Sequence, residues 1–227
     1  DIWLPLMKRL TSKIEDETMC CRLYKQQGQL YRSKQKSDKA IAALHKSAKY
    51  AEHIQSDLML AEAHLHLSAT YLQNRDYATA ESYAQCALHR LWAMTGVDTQ
   101  ISAVYFTLGR ARLMKGDFAK SEGYLTSAVD AGREAQSPTQ VARILTALAI
   151  SLHRQNKYEA SERAYLEAIQ IIEGTVSILD KIRLQLSLGS LYVDMKQLSK
   201  AETLFIEATH TLQSIPGQFH LIAVAAN

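Results

Sequence analysis

Residues 108–128 read LGRARLMKGDFAKSEGYLTSA, and residues 188–208 read LGSLYVDMKQLSKAETLFIEA. Both stretches open on Leu-Gly, cross a short polar break such as Lys115-Gly116-Asp117, and close on alanine. The second stretch starts 80 residues after the first, which is two steps of about 40 residues. Self-similarity at a fixed period is the sequence signature of repeat proteins, so the fold is decided by what each copy has in common.

Small residues recur at steps of 40 or 41 residues in the middle of the first helix of each copy: Gly28, Ser68, Gly109, Ala149 and Gly189. Two further small columns follow in the second helix, namely Ala40, Ala80, Ser121, Ser161 and Ala201, and then Ser47, Ala87, Ala128, Ala168 and Ala208. Between these two lies a bulkier column, Leu44, Ala84, Leu125, Tyr165 and Phe205. Small residues let two helices approach closely, and large ones fill the remaining space. This pattern predicts tightly paired helices.

The composition agrees with an all-helical chain. Only three prolines and nine glycines occur in 227 residues, and 47% of the residues are hydrophobic. The breaks between helical stretches are short, and short connections make neighbouring helices antiparallel. We therefore predict an all-α protein, a right-handed α-α superhelix of about five helical hairpins.

We expect all of the chain to form one solenoid domain. The predicted hairpins span residues 17–56, 57–96, 97–136, 137–176 and 177–216. The flanking stretches 1–16 and 217–227 are expected to be the second helix of a preceding hairpin and the start of a further helix. The chain opens without an initiator methionine and stops within an apolar stretch, so we expect it to be a piece of a longer protein.

Charge and cysteine content narrow the range of partners and compartments that the sequence allows. The net charge of +3 is too small to indicate a nucleic-acid or membrane partner. No apolar run reaches the ~18 residues of a membrane span. The three cysteines, Cys20, Cys21 and Cys86, have no metal-ligand spacing, which suits reduced thiols in the cytoplasm. We predict a cytoplasmic protein that binds neither nucleic acid directly nor membranes.

Particular residues give the repeat a family resemblance. Leu108-Gly109, Leu188-Gly189 with Tyr192, Tyr77-Ala78-Thr79-Ala80-Glu81 and Tyr158-Glu159-Ala160-Ser161-Glu162 resemble tetratricopeptide repeats over roughly residues 17 to 215. The family's usual period is 34 residues, whereas the period here is 40 to 41. The longer period implies longer helices, as in the repeats of kinesin light chains, spindle-orientation adaptors and bacterial regulatory ATPases.

Motifs of catalysis are missing from the sequence, which holds no Gly-rich phosphate loop, no HExxH, no GxSxG and no paired-cysteine zinc spacing. His64 and His66 form an HxH pair, but residues two apart on a helix point in different directions and cannot share a metal. We therefore predict no enzyme activity, no metal and no cofactor.

Two other sets of residues receive ordinary structural interpretations. The acidic series Glu81, Glu122, Glu162 and Glu202 is expected to be solvated charge on the outer face of the second helices. Trp3 and Trp92 are expected to pack in the core or between helices, rather than to stack on nucleobases.

The resemblance implies a groove lined by fixed positions of the first helices. Reading those positions gives seven cations: Arg22, Lys25, Arg32, Arg110, Arg143, Arg154 and Arg183. Only Glu62 and Asp194 oppose them there. The remaining candidate ligand-binding residues are Leu65, His66, Phe106, Met114 and His153, with Leu113 and Ile150 as further apolar ground. Because arginine pairs bidentately with carboxylates, we predict an acidic protein or peptide partner with apolar anchors.

The alternative for these arginines is that they only solubilise the wall and pair with neighbouring acids. Tetratricopeptide clamps that grip chaperone tails use Lys and Asn on the first helices. Asparagine is missing from the groove positions, which disfavours chaperone tails.

The leading function is a recognition module of a larger cytoplasmic regulator. Trp3-Leu4-Pro5-Leu6 with Gly28-Gln29-Leu30-Tyr31-Arg32 and Ala40-Ile41-Ala42-Ala43-Leu44 is similar to the region after the nucleotide switch of bacterial signal-transduction ATPases. In that family the repeats sense an inducer, and the resemblance implies that ligand binding relieves autoinhibition of an ATPase. Three rivals stay open: a constitutive scaffold or motor adaptor, a small-molecule sensor with a limited pocket, and an enzyme whose site would need the separated His66 and His153.

Overall fold

The structure is a computed structural model that describes residues 16–172 and 178–213. All regular structure within these ranges is helical, as predicted. The ten helices there are α1 Glu17–Ser33, α2 Ser37–His53, α3 Asp57–Gln73, α4 Tyr77–Leu91, α5 Asp98–Met114, α6 Phe118–Glu134, α7 Pro138–His153, α8 Tyr158–Ile172, α9 Ile178–Asp194 and α10 Leu198–Gln213. No described helix is long and apolar enough to cross a membrane.

Contacts divide the chain into two compact units, Asp1–Ala135 and Gln136–Asn227. In the first unit α1 pairs with α2, α3 with α4 and α5 with α6; in the second, α7 pairs with α8 and α9 with α10. We call the odd-numbered members first helices and the even-numbered members second helices. Neighbouring first helices also touch, α1 with α3 and α3 with α5 in the first unit, and α7 with α9 in the second. Their exposed sides form what we call the first-helix face of each unit.

Helix ends are set by local hydrogen bonds. The Asp16 carboxylate accepts the Thr18 N–H at 2.8 Å and the Asp76 carboxylate accepts the Thr79 N–H at 3.1 Å, which satisfies free N–H groups at two helix starts. After α3 the chain turns at Arg75, whose φ is 64°. The Arg75 N–H bonds to the Leu72 carbonyl at 3.2 Å and the Asp76 N–H to the Tyr71 carbonyl at 3.0 Å, a Schellman motif. The same paired bonds and positive φ recur at Gln35, Gln55, Gly116, Asn156 and Lys196.

Close approach within each helix pair is confirmed at the glycines of the first small column. A Cβ built on Gly109 would lie 2.6 Å from Leu125 Cγ, and one on Gly28 would lie 2.5 Å from Leu44 Cγ. Leu44 and Leu125 are both fully buried. Each leucine therefore occupies the space that the missing side chain of a glycine leaves free.

Serines in the small columns add a hydrogen bond to this contact. The Ser68 hydroxyl donates to the Ala80 carbonyl at 2.6 Å, and the Ser161 hydroxyl donates to the Ala149 carbonyl at 2.8 Å. Both serines are fully buried, so the bond satisfies a polar group that water cannot reach. At these two positions serine is tolerated in the packing column because a backbone carbonyl of the partner helix accepts its hydrogen bond.

The expectation of solvated charge is wrong for Glu81. Glu81 is only 7% exposed, and its carboxylate lies 3.0 Å from Arg112 Nε and 3.4 Å from Lys115 Nζ. The position after the small column faces the first helix of the next pair, which carries Arg112 and ends just before Lys115. Glu162 uses the equivalent position to accept a hydrogen bond from the Tyr192 hydroxyl at 2.7 Å. Only Glu202 of this series is exposed among the four.

The expectation of a packed tryptophan is wrong for Trp92, which is 70% exposed. Helix α4 ends at Leu91, and that leucine is fully buried in the cluster with Val97 and Val104. Leu91 fills the core position, so the next residue points outward. Trp3, the flanking stretches 1–16 and 217–227 apart from Asp16, and the predicted break at Gly174-Thr175 lie outside the described residues.

Replacing Gly109 with alanine should lower the free energy of unfolding by about 1–3 kcal/mol, because the new Cβ overlaps the Leu125 side chain. Gly123 in α6 is the matched control, since a Cβ there would meet no atom within 4 Å. Gly123→Ala should raise stability by about 0.5–1 kcal/mol through its helix preference. Urea denaturation of both variants measures the difference. Equal stability of Gly109→Ala and the parent would show that close approach is not a constraint.

Candidate functional site

On the first unit, the face formed by α1, α3 and α5 carries eight of the predicted ligand-binding residues. Arg22, Arg110 and Met114 are exposed, and Lys25, Arg32, Leu65 and His66 are partly buried. Phe106 is only 8% exposed, so its ring lies mostly beneath this surface. Two arginines and one methionine of this face are therefore exposed to a partner, and the other five predicted residues are partly or mostly buried.

Polar links join neighbouring first helices across this face. Lys25 of α1 forms an ion pair with Glu62 of α3, and Gln100 of α5 donates to the other oxygen of Glu62 at 3.4 Å. Gln29 and His66 are hydrogen-bonded at 2.6 Å. Lys25 and Glu62 were predicted as separate groove charges, but they form an ion pair, so together they add no net charge to the face.

His66 is held as a neutral ring. Burial lowers its pKa to about 4, and the positive charges of Arg32 and Lys25 lower it in the same direction, against the smaller opposite effect of Glu62. A neutral imidazole is a hydrogen-bonding group of the helix contact rather than a cation of the surface. His66 therefore contributes no positive charge to ligand binding at neutral pH.

Arg110 has a defined position on the same face. Its guanidinium carbon lies 5.6 Å from the centre of the Phe106 ring, one turn earlier on α5. A guanidinium over an aromatic face gains a cation–π contact and loses rotamer freedom. Exposed Met114, 55% accessible, follows one turn later. Together they place a positive charge beside an apolar side chain.

The second unit carries the remaining four predicted residues on α7, α9 and the turn after α7. Arg143, Arg154 and Arg183 are exposed, and His153 forms a hydrogen-bonded pair with Asp194 at 2.7 Å that joins α7 to α9. Arg183 lies 3.5 Å from Asp180 on its own helix. Arg154 makes no ion pair with any residue in the described ranges.

A cleft of about 540 Å³ opens beside Arg154 on this face. It is lined by Ile150, His153, Arg154, Asn156, Tyr158, Tyr165, Leu186, Ser187, Ser190 and Asp194. Tyr165 comes from the second helix α8 and is 1% exposed. Its hydroxyl is hydrogen-bonded to the Ser187 side chain, and burial raises its pKa to about 12, so the phenol stays neutral.

Tyr165 was not predicted from the sequence to be part of this site. It belongs to the packing column of the second helices, where its ring does lie, whereas the predicted groove positions belong to the first helices. The available signal was chemical, because Tyr165 is the member of that column with a hydroxyl. Ser187 and Ser190 occupy groove positions of α9 but carried no charge to single them out.

Within the described residues, no group of three His, Cys, Asp or Glu side chains could hold a metal ion. Cys20 and Cys21 are buried free thiols and Cys86 is an exposed one. The arrangement on both faces is suited to binding: positive charge, hydroxyls and aliphatic side chains on a rigid helical support.

Comparison with known proteins agrees with the helical-hairpin class that the packing defines. Residues 100–174 match the family model described as tetratricopeptide repeat. Within these residues the match agrees with the tetratricopeptide resemblance that the sequence pattern indicated. No curated protein sequence matches it significantly.

Solved structures extend the fold likeness over nearly the whole chain. BtubC (BKLC) from P. vanneervenii aligns with a TM-score of 0.81 at 16% identity, covering 94% of this chain and 88% of that one. A Rap protein complexed with Competence and Sporulation Factor aligns at 0.77 and 15% identity, over 92% of this chain and 58% of that one. A STAND protein from Pyrococcus horikoshii with a tetratricopeptide repeat sensor aligns at 0.77 and 18% identity, over 92% and 32%. At these identities the likeness confirms the all-α solenoid fold.

The lowered pKa of His66 predicts a pH-dependent stability. Between pH 6.5 and 4 the unfolded chain binds a proton at this residue and the folded chain does not, so acidification favours unfolding. From pH 7.5 to pH 5 the parent should lose about 1–2 kcal/mol more than His66→Gln, which keeps a hydrogen-bonding side chain. Urea denaturation at both pH values measures this. His89→Gln, at an exposed position of α4, is the control and should keep the parent's pH dependence; identical behaviour of both variants would contradict the prediction.

Proposed function

We propose that this chain is a non-catalytic module that binds a protein or peptide through its first-helix faces. The observation that carries the proposal is the cleft of the second unit. Its lining includes Leu186, which is 37% exposed, and Arg154, which makes no ion pair with the residues that the structure describes. A concave surface that combines accessible aliphatic side chains with a cation is suited to a ligand.

Support for the same use comes from the first unit. There Arg110 is positioned over Phe106, and Met114 remains exposed one turn away. Since Lys25 is paired with Glu62 and His66 is neutral, the positive character depends on the arginines. An acidic segment that also carries apolar side chains is the complementary partner.

The biological setting we propose is the ligand-sensing part of a larger cytoplasmic signalling protein. Two proteins with this fold support this setting: the Rap protein in complex with Competence and Sporulation Factor, and the STAND protein with a tetratricopeptide repeat sensor. The chain spans 58% and 32% of those two proteins. Ligand binding to the repeats would then act on a domain outside them.

One observation favours a second candidate, a small-molecule inducer. The cleft of about 540 Å³ falls in the size range of ligand sites, roughly 300–1,000 Å³. Its walls combine hydroxyls with aliphatic groups, as small-ligand sites do. A peptide side chain and a free small molecule would compete for this space.

Selection from a displayed random peptide library tests the main proposal. The parent should enrich peptides rich in Asp and Glu with neighbouring aliphatic residues. Changing Arg110, Arg143, Arg154 and Arg183 to Ala should weaken the enriched peptides by about tenfold or more, since each lost charge-assisted contact is worth roughly 1.5–3 kcal/mol at most and the four are not additive.

A matched control removes four cations from the second helices: Lys39, Lys49, Arg133 and Arg163, all exposed. This variant has the same net charge as the first and should bind the selected peptides as the parent does. If both variants bound the peptides equally weakly, the loss of binding would be explained by net charge and not by the positions of the four arginines. Enrichment of peptides without acidic residues would contradict the acidic partner.

A further inference from the structure

The cleft of the second unit is built from three elements that hold it open. Helices α7 and α9 form its sides and are tied by His153 and Asp194 at 2.7 Å. Helix α8 closes the bottom with Tyr165, whose ring is buried and whose hydroxyl bonds to Ser187. These contacts among α7, α8 and α9 fix the sides and the bottom of the cleft, and a preorganised site lowers the cost of binding.

The side chains of His153, Arg154 and Asp194 line the cleft, and His153 and Asp194 are hydrogen-bonded to one another. Tyr165, Ser187 and Ser190 are neutral hydroxyl groups, and Asn156 accepts a hydrogen bond from the Tyr158 hydroxyl at 3.0 Å. Arg154 has no ion-pair partner in the described part of the chain. An anion is the complementary ligand group, and a guanidinium pairs best with a planar carboxylate or a phosphate.

Apolar surface lies within the same cleft. Ile150 of α7 is partly buried and Leu186 of α9 is exposed, and both contribute to the lining. A phosphate group alone would leave these aliphatic side chains uncovered. A carboxylate attached close to an aliphatic chain would use both features, and a peptide supplies that combination whenever an aliphatic residue stands next to an acidic one.

We propose that the cleft of the second unit is a subsite for a peptide carboxylate with an adjacent aliphatic residue, Arg154 pairing with the carboxylate while Ile150 and Leu186 contact the aliphatic chain. This rests on the proposed function and deepens it by giving one face a defined ligand chemistry. The carboxylate has two possible sources, an internal Glu or Asp side chain or a free C-terminus, and both would meet Arg154 in the same way.

Titration of the whole chain with short peptides, followed by NMR, tests the subsite. The probe is acetyl-GSALEASG-amide, and its partners replace Glu by Gln or Leu by Ala. With affinity on the order of 1 mM, the Glu peptide should bind about five- to tenfold tighter than the Gln peptide, and shifts should concentrate on the methyl groups of Ile150 and Leu186. The peptide lacking leucine should bind about threefold or more weakly. Acetyl-GSGSAL as free acid and as amide reports whether a C-terminus serves equally.

Two variants decide which charge is responsible. Arg154→Gln should abolish the preference for Glu over Gln, whereas Arg163→Gln, an equal charge change at an exposed position of α8 outside the cleft lining, should keep it. Equal binding of the Glu and Gln peptides, a preference that survives Arg154→Gln, or unshifted Ile150 and Leu186 methyls up to about 5 mM peptide would overturn the subsite. The library selection above is separate, because arginine-dependent enrichment there would uphold peptide binding by the remaining positions even after this subsite failed.

Discussion

The close approach of the two helices in each pair is the constraint on which the structure depends. Gly28 and Gly109 leave the space that Leu44 and Leu125 occupy, and a single added carbon would overlap both leucines. Because the backbones are this near, the second helix can bury its whole small-residue side, and its partner is left with one side free. The free sides of neighbouring first helices then lie next to each other, which is how a packing rule creates a surface.

What those surfaces can bind is decided by the links between first helices. In the first unit Lys25, Glu62 and Gln100 satisfy one another, so this part of the face is fixed and electrically neutral. In the second unit His153 and Asp194 are hydrogen-bonded to each other, and Arg154 beside them makes no ion pair within the described residues. A count of charges along the groove therefore overstates the charge available to a ligand. Charged groups that pair with one another between first helices are not free to pair with a ligand.

Sequence alone was sufficient for the fold because repetition averages out local ambiguity. Columns of small residues at steps of 40 or 41 predicted which positions are buried, and Ala40, Ala80, Ser121 and Ser161 are indeed fully buried. Side-chain partners were beyond its reach. Glu81 looked like solvated charge because its cations, Arg112 and Lys115, lie more than 30 residues away in the chain. Trp92 looked like core because a pattern cannot tell which of two neighbours, Leu91 or Trp92, ends the helix.

Tyr165 shows how the core can enter a binding surface. Leu44 and Leu125 hold the same position in their pairs, and each ends in carbon against the first helix. Tyr165 fills the position equally completely, but its ring is longer, and the hydroxyl passes between the helices to reach Ser187 on the first-helix face. The residue at the glycine position of this pair is Ala149, which is fully buried. One change in a packing column thus adds a neutral hydroxyl to the floor of a cleft without disturbing the pairing of α7 and α8.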